Sequence, residues 1–523
     1  MNEVEGSSLS LEELAREIPG GAEIAGDGAV RVRGVHHDSR IVQPGDLFVA
    51  RRGVTSDGAR FLEDAAARGA VAVLAARGAF PAAATALSVL WVDDAAIGLA
   101  HAAAAICGHP SFALDVVGVT GTNGKTTTTH LVRAALDGAL GVPACGIIGT
   151  IGSSFAGEAA PPSASHTTPE ADDLARTMAW MRRRGAGYVA MEVSSHAVAL
   201  KRVLAVRFRV AAFTNLTRDH LDFHGTMEAY ADAKARLFLD HGPAVAVVNV
   251  ASDAGRDLAT RIRAARVTRV ISVTSRPGEP ADVAPIDVDF GARGLAATIS
   301  TPEGTVSLRS RLVGAHNLEN LVVTLGIVHA LELDLGRAVR ALASEPGAPG
   351  RLERVDVEDD VTVLVDYAHT PDALERVLAS VRAFAPGRVV CVFGCGGDRD
   401  PSKRAPMGEA AARGSDVCVL TSDNPRTEDP RAIADEAEAG IRAAGTSPVT
   451  WSDVGAGARG FVVELDRRAA IEAAIASALP GDVIVLAGKG HEDHQIIGRE
   501  KRPFDDREEA RRALARRRRA VPR

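Results

Sequence analysis

Short apolar runs recur along the chain from about residue 115, and each is followed by a stretch with apolar positions at helical spacing. Runs of roughly four to eight apolar residues are typical of parallel strands buried on both faces, and the stretches between them are typical of covering helices. The runs occupy residues 116–119, 188–193, 210–213, 245–250, 361–365, 389–393, 417–420 and 483–486. This alternation predicts parallel α/β sheets. The long gap between the fourth run and the fifth predicts that the last four runs belong to a separate domain.

The N-terminal part of the chain differs, because short β-like runs mix there with alanine-rich helical segments. Residues 30–50 are predicted as strand, turn and strand, and residues 69–74 as another strand. Further along, the segment EPGAPG at 345–350 has the composition of a linker. We therefore predict three α/β domains, at residues 1–112, 113–345 and 346–523.

The composition of the chain mainly excludes certain classes of protein. With 46% apolar and 24% charged residues, the 523-residue chain is a globular protein rather than a disordered one. A net charge of −7 and only 4% aromatic residues offer neither a basic field nor stacking platforms for nucleic acid. The first ten residues are polar, no apolar run is long enough to span a membrane, and the five cysteines form no CxxC pair. We expect a cytoplasmic protein with no nucleic-acid partner and no membrane insertion.

The segment GVTGTNGKT at 118–126 carries the strongest chemical signal. It follows an apolar run and opens a helical stretch at 127–140, which is the context of a nucleotide phosphate loop. Glycines there let backbone N–H groups point at phosphate oxygens, and the helix N-terminus adds a positive dipole end. We expect Lys125 to reach the β- and γ-phosphates and the Thr126 hydroxyl to bind Mg²⁺. Five residues separate Gly118 from Gly124, so the loop is a variant of the common pattern.

Two further polar clusters follow apolar runs of the same predicted sheet. Glu192 ends one run, and the segment NLTRDHLDFH at 215–224 follows the next. Because the carboxyl ends of parallel strands are where open α/β sheets bind ligands, these clusters are plausible Mg²⁺ and phosphate ligands. Lys234 lies in a helical run at 228–239, and on sequence physics alone it is interpreted as a surface lysine.

The motifs resemble those of the Mur ligases, which build the peptide of bacterial cell-wall precursors, and the likeness covers nearly the whole chain. It rests on the segments already described and on GAHN at 314–317, DYAHTP at 366–371, DNPR at 423–426 and GKGHE at 488–492. The resemblance implies an N-terminal α/β substrate domain, a central P-loop parallel-sheet ATPase domain and a C-terminal Rossmann-like α/β domain. It also implies an ATP-dependent ligase that forms an amide bond.

The branch of the family is indicated by two short segments. DSR at 38–40 with PGDLFV at 44–49 is similar to the nucleotide-substrate domain of the branch that adds the third residue. DNPR resembles the signature of diaminopimelate-adding members, whereas lysine-adding relatives carry a different tetrapeptide. Residues Leu200 and His166 depart from the family, which often has Gln and Asn at these positions.

The resemblance assigns roles to individual residues. ATP would be held by Gly121, Thr122, Asn123, Gly124, Lys125, Thr126, Thr127, Asn317, Arg351 and Asp366. Mg²⁺ would be bound by Thr126, Glu192, His220 and Lys234, with Lys234 carbamylated by CO₂. Lys125, Lys234 and His220 would be the catalytic residues. Because carbamylation requires a neutral amine, the surroundings of Lys234 must lower its pKa by burial or by nearby cations.

The two remaining substrates would occupy separate sets of residues. The UDP-N-acetylmuramoyl dipeptide would be bound by Ser39, Thr167, Thr168, Ser194 and Arg202. meso-Diaminopimelate would be bound by Arg399, Asp423, Asn424, Pro425, Arg426, Gly488 and Glu492. The arginines suit the distal carboxylate of diaminopimelate and Glu492 suits its ammonium. Lysine lacks that carboxylate and would leave an arginine unpaired, at a cost of about 1–3 kcal/mol.

The implied reaction has two steps. The dipeptide carboxylate attacks the γ-phosphate of ATP to give an acyl phosphate and ADP, and the amine of diaminopimelate then displaces phosphate. His220, His369 and His491 are candidates to accept the proton of the amine. Because water would destroy the acyl phosphate, we expect the third domain to close over the central one about residues 345–350.

Other interpretations stay open at this stage. One is a sister ligase that adds lysine or D-alanyl-D-alanine, or a folylpolyglutamate synthase. Another is a nucleotide switch that uses ATP for conformation only, which predicts no ATP turnover with both small substrates present. We expect a monomer, and the arginine-rich stretch at 511–523 is interpreted as a solvated helix end rather than an interaction tail.

Overall fold

The computed structural model describes residues 8–53, 57–162, 166–291, 294–355 and 359–520. The chain divides into two compact units. The first unit comprises Met1–Ala284, Thr301–Glu303 and Asn320–Ala338, and the second comprises Pro285–Ser300, Gly304–Glu319 and Val339–Arg523. Both are built from helices packed on sheets of mostly parallel strands, which confirms the predicted α/β class. The three domain boundaries drawn from the sequence stay a prediction.

The strands, in chain order, are β1 (Leu9–Ser10), β2 (Glu23–Ala25), β3 (Arg31–Val32), β4 (Gly34–His36), β5 (Asp46–Ala50), β6 (Ala72–Ala76), β7 (Ser88–Val92), β8 (Asp115–Thr120), β9 (Cys145–Gly149), β10 (Gly152–Phe155), β11 (Glu158–Ala159), β12 (Tyr188–Glu192), β13 (Val210–Phe213), β14 (Val245–Asn249), β15 (Arg269–Val273), β16 (Ala284–Gly291), β17 (Gly294–Thr301), β18 (Gly304–Ser310), β19 (Glu353–Arg354), β20 (Thr362–Asp366), β21 (Val389–Phe393), β22 (Val417–Leu420), β23 (Gly460–Val463), β24 (Val483–Ala487), β25 (His494–Ile497) and β26 (Glu500–Pro503).

The helices are α1 (Leu11–Glu17), α2 (Leu62–Ala67), α3 (Ala95–Ile106), α4 (Pro110–Ala113), α5 (Lys125–Leu140), α6 (Ala171–Arg183), α7 (Ser195–Ala199), α8 (Leu221–His224), α9 (Met227–Leu239), α10 (Asp253–Ala265), α11 (Ala315–Ala330), α12 (Leu335–Leu342), α13 (Pro371–Arg382), α14 (Arg404–Gly414), α15 (Pro430–Ala443), α16 (Trp451–Gly455), α17 (Arg467–Ala476) and α18 (Asp506–Ala520). Among the described residues, none of these helices has both the length and the apolar character that crossing a bilayer requires.

A five-stranded sheet forms the N-terminal part of the first unit, in the order β2-β7-β6-β5-β4. Strands β4 to β7 are parallel and β2 is antiparallel to β7. The alanine-rich helix α3 packs closely on this sheet, because a Cβ at Gly98 would lie 2.9 Å from a methyl carbon of Leu74. The segment at 30–50 contains β3, β4 and β5, so it includes one more strand than the sequence predicted.

The second sheet of the first unit has the order β11-β10-β9-β12-β8-β13-β14-β15. Its six strands from β9 to β15 in that order are parallel, and they include all four runs predicted between residues 116 and 250. Glu192 pairs with Val119 and Phe213 pairs with Thr120, so these strands end at the same edge. This edge carries the predicted phosphate loop and the two predicted polar clusters.

The second unit is centred on a sheet of order β19-β20-β24-β21-β22-β23, in which β19 alone is antiparallel to its neighbour. Alternate side chains of each strand enter opposite cores. Cys391 and Phe393 pack with α13, α14 and α15, while Val390 and Val392 pack with α17 and α18. Helices cover both faces, which is why β21, β22 and β24 are apolar at every position.

The arginine-rich stretch forms the end of helix α18, and its last three residues lie outside the described ranges. Arg517 donates hydrogen bonds to the carbonyls of Ile475 and Ala478 at the end of α17, at 2.9 and 2.8 Å. Arg518 forms an ion pair with Asp359 at 3.4 Å. These arginines therefore fasten α18 to its own unit.

Candidate active site

The phosphate loop lies between β8 and the first residue of α5, as the sequence predicts. Gly121 and Gly124 have φ values of +150° and +83°, a region that favours glycine. A Cβ at Gly121 would overlap Thr214 Oγ1, and one at Gly124 would overlap Asn320 Oδ1. The loop is thus pressed between the end of β13 and helix α11, and the Thr122 N–H fixes it further by donating to the carbonyl of Asn215 at 2.8 Å.

Lys125 and Lys234 converge on one backbone oxygen of this loop. The Nζ atoms of Lys125 and Lys234 donate to the Gly121 carbonyl at 2.9 and 2.8 Å. Lys234 is only 2% exposed and its Nζ lies 4.4 Å from the ring centroid of Tyr230. Burial, and then the charge of Lys125, lowers the pKa of Lys234 well below its usual value. The interpretation of Lys234 as a surface lysine is therefore wrong, because the face of α9 that carries it packs against the loop.

Thr126 and Glu192 meet at the base of the loop. The Thr126 hydroxyl donates to Glu192 Oε2 at 3.0 Å, and Glu192 is 1% exposed. Thr150 donates to the same carboxylate from its N–H at 2.8 Å and from its hydroxyl at 3.2 Å. A hydroxyl and a carboxylate in contact are the oxygen donors that Mg²⁺ prefers, so these residues fit the ion.

His220 is exposed and lies near Lys125 and Lys234. It has a φ of +52°, and its ring centroid lies 5.9 Å from that of Tyr230. Partial burial, together with the charges of Lys125 and Lys234, lowers the pKa of His220, while Asp219 opposes this. In the described part of the chain, no three His, Cys, Asp or Glu side chains cluster as a metal site. Magnesium in phosphate-transfer sites typically takes one or two carboxylates and completes its shell with phosphate and water.

The residues predicted to bind the dipeptide, apart from Ser39, surround the end of β12. The Thr168 hydroxyl donates to the Glu192 carbonyl at 2.9 Å and accepts the Ser194 N–H at 3.0 Å. The Thr167 and Thr150 hydroxyl oxygens lie 3.1 Å apart, within hydrogen-bond distance. The guanidinium of Arg202 donates to the Thr168 carbonyl at 3.2 Å. Thr167, Thr168, Ser194 and Arg202 therefore lie beside the proposed magnesium ligand.

Arg202 is held in place by a buried carboxylate. Its Nη2 lies 2.8 Å from Glu170 Oε1, and Arg51 Nη2 lies 2.8 Å from Glu170 Oε2. Ser39 begins a short 3-10 turn between β4 and β5, where its hydroxyl bonds to Asp64 and lowers the pKa of that carboxyl. The two departures from the family pattern, His166 and Leu200, are both exposed.

In the second unit, the DNPR loop (423–426) and the GKGHE loop (488–492) lie together. Asn424 Nδ2 donates to Glu492 Oε2 at 2.9 Å, and a Cβ at Gly488 would lie 3.9 Å from Asp423 Oδ1. Pro425 sits close to Gly397, where a Cβ would overlap the Pro425 carbonyl. The sequence segments are more than sixty residues apart, and the parallel pairing of the strands that precede them brings them to one edge.

Two arginines complete this group. A Cβ at Gly396 would lie 3.1 Å from Arg426 Nη1 and 3.7 Å from Arg399 Cγ, so the two side chains flank the same glycine. Arg426 donates from Nη1 to the Gly397 carbonyl at 2.7 Å and has a φ of +51°. A left-handed conformation costs a residue with a side chain about 1–2 kcal/mol, and such strain clusters at functional sites.

Arg351 and Asp366, predicted to contact ATP, lie near each other in the second unit. Asp366 accepts the N–H groups of Leu352 and Ala368 at 2.7 and 2.8 Å. Burial raises the pKa of Asp366, and the nearby Arg351 opposes this. The guanidinium carbon of Arg351 lies 5.2 Å from the ring centroid of Tyr367.

Asn317, also predicted to contact ATP, donates to the Val313 carbonyl at 2.9 Å in the first turn of α11.

Two of the three candidate bases flank the same tyrosine ring. The ring centroids of His369 and His491 lie 4.6 and 5.2 Å from that of Tyr367. Burial, and the charge of Arg351, lowers the pKa of His491, so its imidazole is neutral near pH 7. His369 donates from Nδ1 to the Tyr367 carbonyl at 2.8 Å.

Several residues at these sites escaped the sequence analysis. Asn320 accepts from the Thr128 hydroxyl at 3.3 Å and stands against Gly124. Its signal was its spacing, since it follows Asn317 by three residues on one helix and so shares a face with it. Thr150 and Tyr230 carried no local signal. Lys489 lies within the GKGHE segment, but its residue type and position there carried no signal for a role of its own.

Known proteins match the chain over most of its length. Three family models match: Mur ligase family, catalytic domain, at residues 31–106; Mur ligase middle domain at 119–328; and Mur ligase, glutamate ligase domain, at 350–490. A Geobacter metallireducens protein named UDP-N-acetylmuramoyl-L-alanyl-D-glutamate--2,6-diaminopimelate ligase is 46% identical, over 96% of this chain and 97% of its own. A Streptomyces coelicolor protein of the same name is 44% identical, over 97% of each. A solved structure under that name has 32% identity and a TM-score of 0.70, and covers 97% of this chain and 99% of its own.

Proposed function

The chain belongs to the Mur ligase family, and on that premise we propose that it joins meso-diaminopimelate to the D-glutamate of UDP-N-acetylmuramoyl-L-alanyl-D-glutamate. It is an ATP-dependent ligase that forms an amide bond, in a step of peptidoglycan precursor synthesis. The observation that carries the choice of amino acid is the contact of Asn424 with Glu492 at 2.9 Å, beside Arg426. The Glu492 carboxylate and the guanidiniums of Arg399 and Arg426 together match a substrate end that bears both an ammonium and a carboxylate.

We propose that ATP binds on the loop at 121–127 and at the start of α5. The N-terminal N–H groups and dipole of the helix attract its phosphates. Lys125, which now donates to the Gly121 and Thr122 carbonyls, would turn its ammonium to the β- and γ-phosphates. In the second unit Asn317, Arg351 and Asp366 are the proposed contacts of the adenosine, and closure about residues 345–350 stays a prediction.

Thr126, Glu192 and His220 would hold Mg²⁺, which when bound neutralises charge on the transferring phosphoryl group. Thr150 supports this arrangement, because its two donors fix the Glu192 carboxylate that Thr126 also contacts. Asn320 would keep the loop in register through Thr128.

The surroundings of Lys234 support its proposed carbamylation. Its lowered pKa favours the free amine, whose nitrogen can bond to the carbon of CO₂ and release one proton. The carbamate would replace a cation by an anion beside Lys125 and His220. Both of those side chains would then gain an opposite charge.

The dipeptide carboxylate would lie at the end of β12, where Thr168, Ser194 and Arg202 meet. Because Glu170 holds Arg202, the guanidinium keeps its orientation toward Thr168. The same strand end presents Glu192, so the attacking carboxylate and the γ-phosphate are drawn to one place. Attack on the γ-phosphate gives the acyl phosphate and ADP.

Diaminopimelate would then be held by its distal end. Arg399 and Arg426 would bind the carboxylate and Glu492 the ammonium, leaving the other amine to attack the acyl carbon. His491 directly precedes Glu492 in the loop and is neutral near pH 7, which supports it as the proton acceptor.

The test is ATP-dependent release of phosphate with UDP-muramoyl dipeptide and one added amino acid at a time. We expect turnover with meso-diaminopimelate and at least about tenfold less with L-lysine, since an arginine left unpaired costs about 1–3 kcal/mol. Equal turnover with lysine or D-alanyl-D-alanine would identify a sister ligase instead. ATP binding without phosphate release would indicate the nucleotide switch. An ¹⁸O label in the dipeptide carboxylate should appear in the released phosphate.

A further inference from the structure

Lys489 is a wholly buried lysine in the GKGHE loop, two residues after the end of β24. Burying an ammonium is costly unless opposite charges and hydrogen-bond acceptors replace water. The reaction steps described above use every other polar side chain of this loop and none of Lys489. The burial of its ammonium therefore calls for another explanation.

The ammonium is surrounded by acceptors from three segments. Lys489 Nζ donates to the His494 carbonyl at 2.8 Å and to Asn424 Oδ1 at 3.0 Å. It also lies 3.4 Å from Glu492 Oε2 and 3.5 Å from Asp423 Oδ1. One side chain thus ties together the DNPR loop, the GKGHE loop and the start of β25.

These bonds fix the orientation of the Asn424 amide. Its Oδ1 accepts from Lys489 Nζ and from the Ile496 N–H at 2.9 Å. With the oxygen held on that side, the NH₂ group must face Glu492, to which it donates at 2.9 Å. Lys489 therefore sets the direction of Asn424 and, through it, of Glu492.

Charge supports the same role. Asp423 and Glu492 place two carboxylates within 3.5 Å of a single ammonium. Asp423 Oδ1 is buried and, within the described ranges, has no hydrogen-bond donor, so the charge of Lys489 compensates it. Without Lys489 the two carboxylates would repel each other and Glu492 would turn away from its partner.

The backbone below the loop has its own support. Arg467 is 1% exposed, donates to the Ala487 carbonyl at 3.0 Å, and pairs with Asp506 at 2.6 Å. Ala487 is the last residue of β24, so this pair fastens the base of the loop independently of Lys489. Loss of the ammonium should then act on side-chain orientation more than on the strand.

We propose that Lys489 is a positioning residue for amino-acid recognition, whose ammonium aims Asn424 and Glu492 at the distal ammonium of the substrate. The proposal rests on the proposed function, because it takes the substrate to be diaminopimelate. Lys489 touches the substrate's ligands and not the substrate, so its removal should weaken recognition of the amino acid selectively.

The experiment compares full-length Lys489→Met with Lys501→Met, the same change at an exposed lysine of β26. For Lys489→Met we expect the KM for diaminopimelate to rise at least about tenfold, as for loss of a charged hydrogen bond, with the KM values for ATP and the dipeptide within twofold. The preference for diaminopimelate over lysine should fall as well. A purely structural role would lower kcat without this split among the three KM values.

The outcomes separate the two proposals. A wild-type protein inactive with diaminopimelate would overturn the proposed function, whereas an active wild type with an unchanged KM in Lys489→Met would overturn only the role of Lys489. If Lys489→Met fails to fold, Lys489→Met/Asp423→Asn removes the uncompensated carboxylate, and its KM is compared with that of Asp423→Asn. A double variant that also fails to fold, or that matches Asp423→Asn, would overturn the proposal.

Discussion

Two buried lysines, one in each unit, have opposite surroundings. Lys234 shares the Gly121 carbonyl with a second cation, Lys125, and its pKa is lowered by burial and by that charge. Lys489 has two carboxylates, an amide oxygen and a carbonyl within 3.5 Å. The first setting favours a free amine that can react, and the second supplies the charges that an ammonium needs. The comparison teaches that the partners of a buried lysine, more than its depth, set its chemistry.

The largest expected effect comes from Lys234→Arg, which keeps the positive charge but removes an amine that can be carbamylated. We expect kcat to fall about 10²–10³-fold, the size of losing one group that stabilises the transferring phosphoryl. Phosphate release measures the loss, and ¹³C NMR with labelled bicarbonate should show a carbamate signal only in the parent protein. Lys501→Arg is the matched control. Retained activity in Lys234→Arg would contradict the role of Lys234 as a free amine that reacts.

A smaller effect is expected from Arg426→Lys in the region around Lys489. Lysine cannot reproduce the planar guanidinium that donates to Gly397 beside the proposed carboxylate site. We expect kcat/KM for diaminopimelate to fall by about 10–100-fold, which corresponds to about 1–3 kcal/mol. The value for L-lysine should change less. Arg431→Lys, an exposed arginine on α15, serves as the control, and an equal loss for both amino acids would count against substrate contact.

Stability should change in opposite directions when each buried lysine becomes methionine. Lys489→Met should lose about 3–5 kcal/mol, because it breaks a buried ion pair. Lys234→Met should gain stability at neutral pH, because it removes a buried amine whose pKa is depressed in the folded state. Urea unfolding followed by tryptophan fluorescence measures both changes.

The stability difference between Lys234→Met and the parent protein should depend on pH in one direction. Between the depressed pKa of folded Lys234 and the usual value near 10.4, the unfolded chain binds more protons, so parent stability rises with pH. The advantage of Lys234→Met should therefore shrink as the pH approaches about 10. An advantage that grows with pH, or a destabilised Lys234→Met, would contradict the assigned environment.

The smallest effect is expected at His37, whose imidazolium is paired with the buried carboxylate of Asp172. His37 Nδ1 lies 2.8 Å from Asp172 Oδ1, and although burial lowers the pKa of His37, Asp172 raises it above its usual value. The stabilisation is then fully present below about pH 6.5 and is lost as the pH rises through the raised pKa. His37→Gln should cost about 0.5–1.5 kcal/mol at acidic pH and less at alkaline pH. His166→Gln, at an exposed site, is the control substitution.

Much of the fold can be predicted from the local pattern of apolar residues. The elements that were missed depend on contacts between segments distant in the chain. The predicted runs became β8, β12, β13, β14, β20, β21, β22 and β24, because strands covered on both faces need continuous apolar side chains. Strand β9 was missed because two of its five residues are glycines. A Cβ at Gly146 would lie 2.5 Å from Met181 Sδ, and one at Gly149 would overlap Glu192 Oε1. Those neighbours come from α6 and β12, which the local sequence does not reveal.

The same distinction applies to the candidate sites. Motifs with fixed spacing pointed to the phosphate loop, Glu192 and the DNPR loop, because each motif carries its own geometry. The burial of Lys234 could not be predicted, since it depends on Gly121, more than a hundred residues earlier. Lys489 and Asn320 were missed for the same reason, because each acts on a segment distant in the chain. The roles of the individual site residues stay predictions until the variants are measured.

The packing of Gly121 has a consequence for inhibitor design. Any side chain at this position would strike the Thr214 hydroxyl and force apart the loop and the neighbouring strand. A compound that packs against Gly121 would therefore contact a residue that can hardly be exchanged without damaging the enzyme itself. Escape by point mutation at that contact should be rarer than at the exposed Arg399 of the second unit.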